Sequence, residues 1–240
     1  MKKTKNLIKF LLRKIGWRLE KLIKRNDYNI EVPHKELLSA LSIAKGVFHL
    51  GAHRGEEAPI YEWFGKKVLW VEANPVIFAE LSDNLIKYRF QKAYQALISN
   101  EDGKEIDFYL SNNDYASSSI FEFGTLSSGS SSLWPDKHLK HVNKKKLLSI
   151  TIDTLVEKNS INIKDYDHWV IDLQGAELLA LEGAVASLKF CKSMYIEVSK
   201  GDVYKKGAKW NEVLFFLEKN NYKQMWDFTS NHGNILFIKK

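Results

Sequence analysis

The chain has 240 residues, a length that suits one domain of ordinary size with a short extension. Hydrophobic residues make up 45% and aromatic residues 12%, a composition that allows a sizeable core and excludes an intrinsically disordered chain. The single cysteine, Cys191, excludes an internal disulfide and a cysteine-based zinc site, and it favours a reducing, cytoplasmic location.

The formal net charge of +7 is concentrated in residues 1–25. This segment holds ten Lys or Arg residues and one acid, Glu20, so its net charge is +9 and the remaining 215 residues carry −2. A nearly neutral body with one basic arm argues against a protein that binds or modifies nucleic acid.

Apolar residues at three- and four-residue steps from Leu7 to Ile23 predict an amphipathic helix in the arm. Charged residues interrupt the apolar residues of the arm too often for a membrane span or for the apolar block of a signal peptide. We therefore predict a basic amphipathic helical arm over 1–45 and a catalytic domain over 46–240. The arm's composition favours peripheral contact with an anionic membrane, at its inner face, and the alternative is a helix packed on the domain.

After the arm, short apolar runs alternate with helical periodicity. This alternation predicts an α/β fold with a mostly parallel sheet, helices on both faces and a closing antiparallel hairpin. Strands are predicted over 47–50, 68–71, 94–99, 105–110, 167–173, 193–198, 222–228 and 235–238, helices over 35–44, from 75 through 85, over 176–188 and over 210–220, and a long polar stretch over 111–146.

The first predicted strand ends at Gly51, and a second glycine, Gly55, follows before the next helix. Glycines at the end of a buried strand let the backbone approach a ligand, and the helix N-terminus offers free N–H groups to an anion. A tight strand–helix turn without a ligand is the alternative interpretation.

Glu72 ends the second strand, 21 positions after Gly51. Nucleotide-binding folds place an acid there to accept hydrogen bonds from the ribose hydroxyls. The alternative is a solvated strand-end glutamate, but the apolar run before it and the Ala-Asn-Pro after it favour a position in the ligand crevice. The glycine loop is short for a pyrophosphate, which favours S-adenosylmethionine over NAD.

A carboxylate and an amide, Asp172 and Gln174, leave the end of another apolar strand just before Gly175. Polar residues at that place face the same crevice as the first glycine turn. The alternatives are a helix N-cap for Asp172 and a first-turn helix acid for Glu177.

These motifs, together with others in matching order, resemble the FkbM family of methyltransferases over about residues 46–240. Many members of that family have Asp in the place of His49 and Glu in the place of Gln174. The matching segments are His-Leu-Gly-Ala-His-Arg-Gly-Glu-Glu at 49–57, Trp-Val-Glu-Ala-Asn-Pro at 70–75, Ala-Leu-Ile-Ser-Asn-Glu-Asp-Gly at 96–103, Ser-Ser-Ser at 117–119, Thr-Ile-Asp-Thr-Leu at 151–155, the run from Ile171 to Ala184, and Ile-Glu-Val at 196–198.

The resemblance implies a Rossmann-like, seven-stranded class I methyltransferase sheet with S-adenosylmethionine as the methyl donor. It also implies O-methylation of a hydroxyl on a sugar or a secondary metabolite, and the sugar would belong to a glycan or glycolipid. By matching position, the donor would contact Gly51, Ala52, Gly55, Glu72, Ala73 and Leu97. Asp172, Gln174, Ser117, Ser118 and Ser119 would lie near the transferred methyl or the acceptor, with Gln174 also contacting the donor.

An alcohol is a poor nucleophile until a base takes its proton, so a base is expected in the site. The candidates are Asp172 first, then His53, whose imidazole titrates near neutral pH, and then Glu197. A metal held by Asp172 and Glu197 could acidify the hydroxyl instead, but two carboxylates do not make a site and we predict no metal.

The polar stretch carries two further features. Trp134 is a candidate platform for a sugar ring or, equally, an anchor that holds the loop. His138 and His141 are predicted to be solvated loop residues. The rival function is a nicotinamide-dependent oxidoreductase on a Rossmann fold.

Overall fold

A computed structural model describes residues 35–125 and 139–240. The predicted amphipathic helix in residues 1–25, with Trp134 and His138, lies outside these ranges. Their predicted roles therefore stay predictions.

The described residues form ten strands and six α-helices. The strands are β1 (Gly46–Leu50), β2 (Lys67–Glu72), β3 (Gln91–Gln95), β4 (Leu97–Ile98), β5 (Glu105–Ser111), β6 (His141–Ile150), β7 (His168–Ile171), β8 (Ser193–Ser199), β9 (Tyr222–Gln224) and β10 (His232–Lys239). The helices are α1 (Lys35–Ile43), α2 (Ala58–Trp63), α3 (Pro75–Leu85), α4 (Ile152–Lys158), α5 (Glu177–Glu182) and α6 (Trp210–Lys219).

Seven strands form the central sheet in the order β3-β2-β1-β7-β8-β10-β9. The first five are parallel, and β10 is antiparallel to both of its neighbours. Every residue of β1 is buried, as expected of a parallel strand whose two faces are both covered. The predicted α/β fold, its seven-stranded sheet and its closing hairpin are confirmed.

The chain runs outward from β1 to β3 and later returns on the other side at β7. This change of direction opens a crevice at the carboxyl ends of β1 and β7. The predicted ligand-binding residues Gly51 and Asp172 follow these two strands directly.

The single strand predicted over 94–99 is wrong. The chain leaves the central sheet at Ala96, whose N–H donates to the carbonyl of Glu72 at 3.0 Å, and Leu97–Ile98 pairs instead with β6 in a second, three-stranded sheet. The sequence pattern over 94–99 does not reveal which sheet each half of the segment joins.

Most of strand β6 lies within the polar stretch predicted over 111–146. β6 pairs antiparallel with β5, and its lysines form ion pairs across the pair, Lys144 with Asp107 at 2.6 Å and Lys146 with Glu105 at 2.5 Å. His141 is part of this strand and stacks on Phe123 at 4.0 Å, so its assignment as a loop residue is wrong. The strand faces solvent along much of its length, which removes the apolar alternation used to recognise strands.

The helices also differ from the prediction in two places. Helix α4 was not predicted; its N-cap is Thr151, whose hydroxyl accepts a hydrogen bond from Thr154 N at 3.1 Å. The helix predicted over 176–188 ends at Glu182, and its C-cap, Gly183, packs so closely on the Ser99 carbonyl that a Cβ there would lie 2.4 Å from it. None of the helices in the described part of the chain is long and apolar enough to cross a membrane.

Candidate active site

A cavity of about 210 Å³ lies at the carboxyl ends of β1, β2 and β7. Its walls come from the turn after β1, the end of β2, the start of β4, the residues after β7 and a segment that follows β5. Of the residues predicted to bind donor or acceptor, those that line it are Gly51, Ala52, His53, Glu72, Ala73, Leu97, Ser118, Asp172 and Gln174. The structure thus brings together motifs that lie more than 100 residues apart.

The two predicted glycines have different surroundings. Gly51 has a φ of +85°, and a Cβ there would lie 1.7 Å from the carbonyl oxygen of Asp172, so only glycine lets the ends of β1 and β7 meet. Gly55, with a φ of +72°, packs on Leu81 of α3 and does not line the cavity. Donor contact at Gly55 remains a prediction.

Glu72 is 9% exposed, so it is not the solvated strand-end glutamate of the alternative interpretation. One carboxylate oxygen accepts from His53 N at 2.9 Å and the other from Asn74 N at 2.7 Å. Burial raises the pKa of Glu72, and those two backbone hydrogen bonds oppose the rise. A carboxylate has about four acceptor positions, so after two backbone bonds it can still accept two hydroxyls.

Asp172 follows β7 directly, and its N–H donates to the carbonyl of Leu50 at 3.0 Å. Its carboxylate accepts a hydrogen bond from the Gln174 amide, which also donates to Glu197 at 3.2 Å. Burial, and then the charge of Glu197, raise the pKa of Asp172 well above its usual value. The N-cap of α5 is Ala176, so the helix-cap interpretation of Asp172 is wrong.

A third carboxylate, that of Glu177, lies beside these two. As a first-turn acid it folds back and accepts from Leu173 N at 2.9 Å and Gly175 N at 3.0 Å. Among the described residues, Asp172, Glu177 and Glu197 form the one group of three acids, histidines or cysteines whose candidate ligand atoms lie within 4.8 Å of one another. Such oxygen ligands suit Mg²⁺ or Mn²⁺. From the sequence, only Asp172 and Glu197 were candidates for this role.

Burial raises the pKa of Glu177 to about 7 and that of Glu197 to about 8. The charge of Glu177 adds to the rise in the pKa of Glu197, and Nε2 of His232 lies 3.2 Å from the carboxyl group of Glu197. Three carboxylates this close cannot all be ionised cheaply, so the cluster retains protons near neutral pH. Glu197 does not line the cavity and reaches it through Gln174.

Gln174 is held from two sides in a left-handed conformation, with a φ of +55°. The hydroxyl of Tyr204 donates to its side-chain oxygen, which orients the amide N–H groups toward the carboxylates. The hydroxyl of Ser119 donates to its backbone carbonyl at 2.7 Å. No motif of the sequence pointed to Tyr204.

The three consecutive serines, Ser117 to Ser119, differ in their surroundings. Ser118 lines the cavity, Ser119 supports Gln174, and Ser117 is buried with its hydroxyl accepting from Asn113 Nδ2 at 2.8 Å. In this conformation Ser118 is the one of these three serines that can contact an acceptor directly.

Both ring nitrogens of His53 have partners, Nδ1 with Glu56 Oε1 at 2.8 Å and Nε2 with the carbonyl of Asp114 at 2.9 Å. Burial lowers the pKa of His53, but its hydrogen bonds to Glu56 and Asp114 raise it more. A histidine so engaged is a poorer base for an acceptor than Asp172.

His49, Phe108 and Tyr115 also line the cavity but were not among the predicted site residues. His49 stacks on Trp70 with ring centroids 4.6 Å apart, and burial lowers its pKa to about 3. It is therefore a neutral part of the cavity floor. Phe108 and Tyr115 come from β5 and the segment after it, where sequence patterning gave no indication of a ligand.

A mostly parallel sheet with a cavity at the change of strand order and an acid at the end of β2 is the arrangement of class I methyltransferases. Residues 49–224 match the family described as the methyltransferase FkbM domain. The chain therefore belongs to the FkbM methyltransferase family, and its methyl donor is S-adenosylmethionine. No curated protein matches the sequence.

One solved methyltransferase structure supports the fold, and two others align less closely. A proposed caffeoyl-CoA O-methyltransferase from Staphylococcus aureus aligns over 99% of each chain with 10% identity and a TM-score of 0.51. The magnesium protoporphyrin IX methyltransferase from Synechocystis PCC 6803, solved with bound S-adenosylmethionine, aligns over 98% of this chain and 97% of its own, with 8% identity and a TM-score of 0.44. A TehB-like methyltransferase from Corynebacterium glutamicum covers 85% of this chain and 86% of its own, with 12% identity and a TM-score of 0.44.

Proposed function

We propose that the chain transfers a methyl group from S-adenosylmethionine to a hydroxyl oxygen of a sugar in a glycan or glycolipid. The observation that carries the proposal is the half-buried carboxylate of Asp172, which lines the same cavity as Glu72 and is oriented by the Gln174 amide. A carboxylate at this place can accept the proton that a hydroxyl loses when its oxygen is methylated.

The reaction is an in-line displacement. The acceptor oxygen forms a bond to the methyl carbon, the carbon–sulfur bond breaks, and the sulfonium leaves as the neutral thioether S-adenosylhomocysteine. Holding the two reacting atoms about 3 Å apart supplies the larger part of the acceleration, and a general base typically adds a factor of 10²–10⁴. Burial and the charge of Glu197 raise the pKa of Asp172, which makes its ionised form a stronger base, and the hydrogen bond from Gln174 opposes only part of that rise.

The acceptor side of the cavity mixes polar and apolar side chains, among them Ser118, Tyr115 and Ile120. Such a lining suits a sugar, which has hydroxyl edges and apolar ring faces. A non-sugar secondary metabolite with a hydroxyl is the second candidate, because the same groups would serve it. A nicotinamide-dependent oxidoreductase is no longer a candidate, because the chain belongs to a methyltransferase family.

The location that we propose is cytoplasmic, at the inner face of a membrane, with a lipid-linked glycan as acceptor. The support is the basic, apolar composition of residues 1–25, which suits reversible attachment to anionic lipid.

The test is transfer of radiolabelled methyl from S-adenosylmethionine to a panel of free, nucleotide-linked and lipid-linked glycans, with phenolic and aliphatic alcohols as comparison. We expect base-stable label on a glycan, as an ether gives. Label on the non-sugar alcohols alone would contradict the sugar assignment. Label on nitrogen or carbon would contradict O-methylation.

A further inference from the structure

The segment 112–118 forms one wall of the cavity. It leaves β5 and returns at Ser119, whose N–H and carbonyl pair with Tyr109 at 3.1 and 2.7 Å. Tyr115, Ala116 and Ser118 face the cavity. The base of the segment is therefore fixed to β5, while its tip, at Asp114 and Tyr115, reaches across to the turn after β1.

Arg54, which lies in the turn after β1, binds the tip of the segment through two parallel hydrogen bonds. Its Nη1 donates to one carboxylate oxygen of Asp114 at 2.8 Å and its Nη2 to the other at 3.0 Å. The arginine itself is held by α3, because its Nε donates to Glu80 at 2.5 Å and Asn84 Nδ2 donates to its carbonyl at 3.1 Å. This two-bond geometry fixes orientation as well as distance.

The two partners differ in exposure. The side chain of Arg54 is 21% exposed, whereas that of Asp114 is 75% exposed. Arg54 is thus held in place by its surroundings. Asp114 is already largely exposed, so its side chain can separate from Arg54 without losing buried contacts. An exposed pair of this kind is weakened by salt.

The tip has a conformation that needs support. Asp114 and Tyr115 have φ values of +61° and +65°, in the left-handed region that costs free energy for residues other than glycine. With the tip in this position the cavity measures about 210 Å³, below the ~300–1,000 Å³ of typical small-molecule sites. A displacement of the tip would widen the cavity for a ligand as large as S-adenosylmethionine.

We propose that the Arg54–Asp114 pair is a latch that positions the segment 112–118 over the donor and sets the rates at which S-adenosylmethionine binds and S-adenosylhomocysteine leaves. Arg54 and Asp114 are positioning residues in this role, since they act through Tyr115, Ala116 and Ser118. The inference rests on the donor part of the proposed function, in which the donor occupies this cavity, and it holds for any acceptor.

The experiment is stopped-flow measurement of S-adenosylhomocysteine association and dissociation with the full chain, followed by tryptophan fluorescence. We expect Arg54→Ala and Asp114→Ala each to raise both rate constants by about three- to tenfold, so that the dissociation constant changes much less than either rate. The double variant should match Arg54→Ala, because that substitution already removes every hydrogen bond from Arg54 to Asp114, including the one of 3.4 Å to its backbone carbonyl that Asp114→Ala leaves in place. In the unsubstituted protein, added NaCl should raise both rate constants, and it should not do so in Asp114→Ala.

The matched control is Lys205→Ala, which removes an exposed ion pair with Glu122 of 2.7 Å outside the cavity and should leave both rate constants unchanged. Asp114→Ala keeps the experiment decisive if Arg54→Ala unfolds, because its side chain is exposed. Unchanged rate constants in Asp114→Ala, or a faster dissociation with unchanged association, would overturn the latch. Failure of the donor assignment looks different, since then the unsubstituted protein would not bind S-adenosylhomocysteine.

Discussion

Replacing Glu72 by Gln tests where the donor binds. The substitution keeps the shape but replaces one acceptor oxygen by an NH₂ group, so the site cannot satisfy both His53 N and Asn74 N and also accept two ribose hydroxyls. Loss of two hydrogen bonds to a charged acceptor is worth about 2–4 kcal/mol, or roughly 30- to 1,000-fold in the dissociation constant. We expect calorimetry to show this loss for both S-adenosylmethionine and S-adenosylhomocysteine.

The substitution also has a cost in the absence of donor. One buried backbone N–H then faces a donor group, which costs about 1–3 kcal/mol of folding free energy, so thermal unfolding is measured beside the affinity. Glu122→Gln, at an exposed position outside the cavity, is the matched control and should change neither quantity. Unchanged donor affinity in folded Glu72→Gln and Glu72→Ala variants would refute the assignment of Glu72 to the ribose.

Four further outcomes are expected. Asp172→Asn should leave donor binding intact and lower turnover by at least ~10²-fold; near-normal turnover would remove its role as a base, and activity restored by Mg²⁺ or Mn²⁺ would indicate a metal held by the carboxylate cluster. The raised pKa values of about 7 at Glu177 and about 8 at Glu197 mean that the folded protein binds more protons than the unfolded chain between about pH 4.5 and 8, so thermal stability should fall across this range, and Glu197→Gln should flatten the fall. Gly51→Ala should destabilise the fold by at least ~3 kcal/mol in chemical denaturation, because its Cβ would lie 1.7 Å from a backbone oxygen, whereas Gly65→Ala, with a similar φ and open space, should cost about 1 kcal/mol. The intact chain should sediment with anionic vesicles at low salt and be released at high salt, and deletion of residues 1–25 should abolish this while donor binding persists; an intact chain that ignores the vesicles would contradict membrane attachment.

Local patterning was sufficient to find the three strand ends that form the cavity. Gly51, Glu72 and Asp172 each follow a short buried apolar run, and such runs are recognisable because both faces of a parallel strand are covered. Since the carboxyl ends of parallel strands share one edge of the sheet, the sequence predicted that these residues converge. Strand β6 was not predicted, because its exposed lysines remove the apolar alternation by which strands are recognised.

Which side chains touch within that edge was decided by tertiary packing. Gln174 contacts both Asp172, which follows β7, and Glu197, which lies on β8, and the hydroxyl of Tyr204 fixes the amide between them. Glu177 was recognised as a first-turn acid, but its approach to the other two carboxylates depends on how its side chain folds back over the loop. A motif gives the order of residues along the chain, not the direction of a side chain.

The amino-acid sequence by itself determined the fold, the edge of the sheet that holds the cavity and the family. Only the tertiary structure decided that Arg54 holds Asp114 across 60 positions, that one of the three serines lines the cavity and that oxygens of three carboxylates lie within 4.8 Å of one another. The physical reason is that periodicity and turn residues report burial along one element, whereas charge pairing and pKa values depend on distances between elements that are set when the sheets and loops pack together.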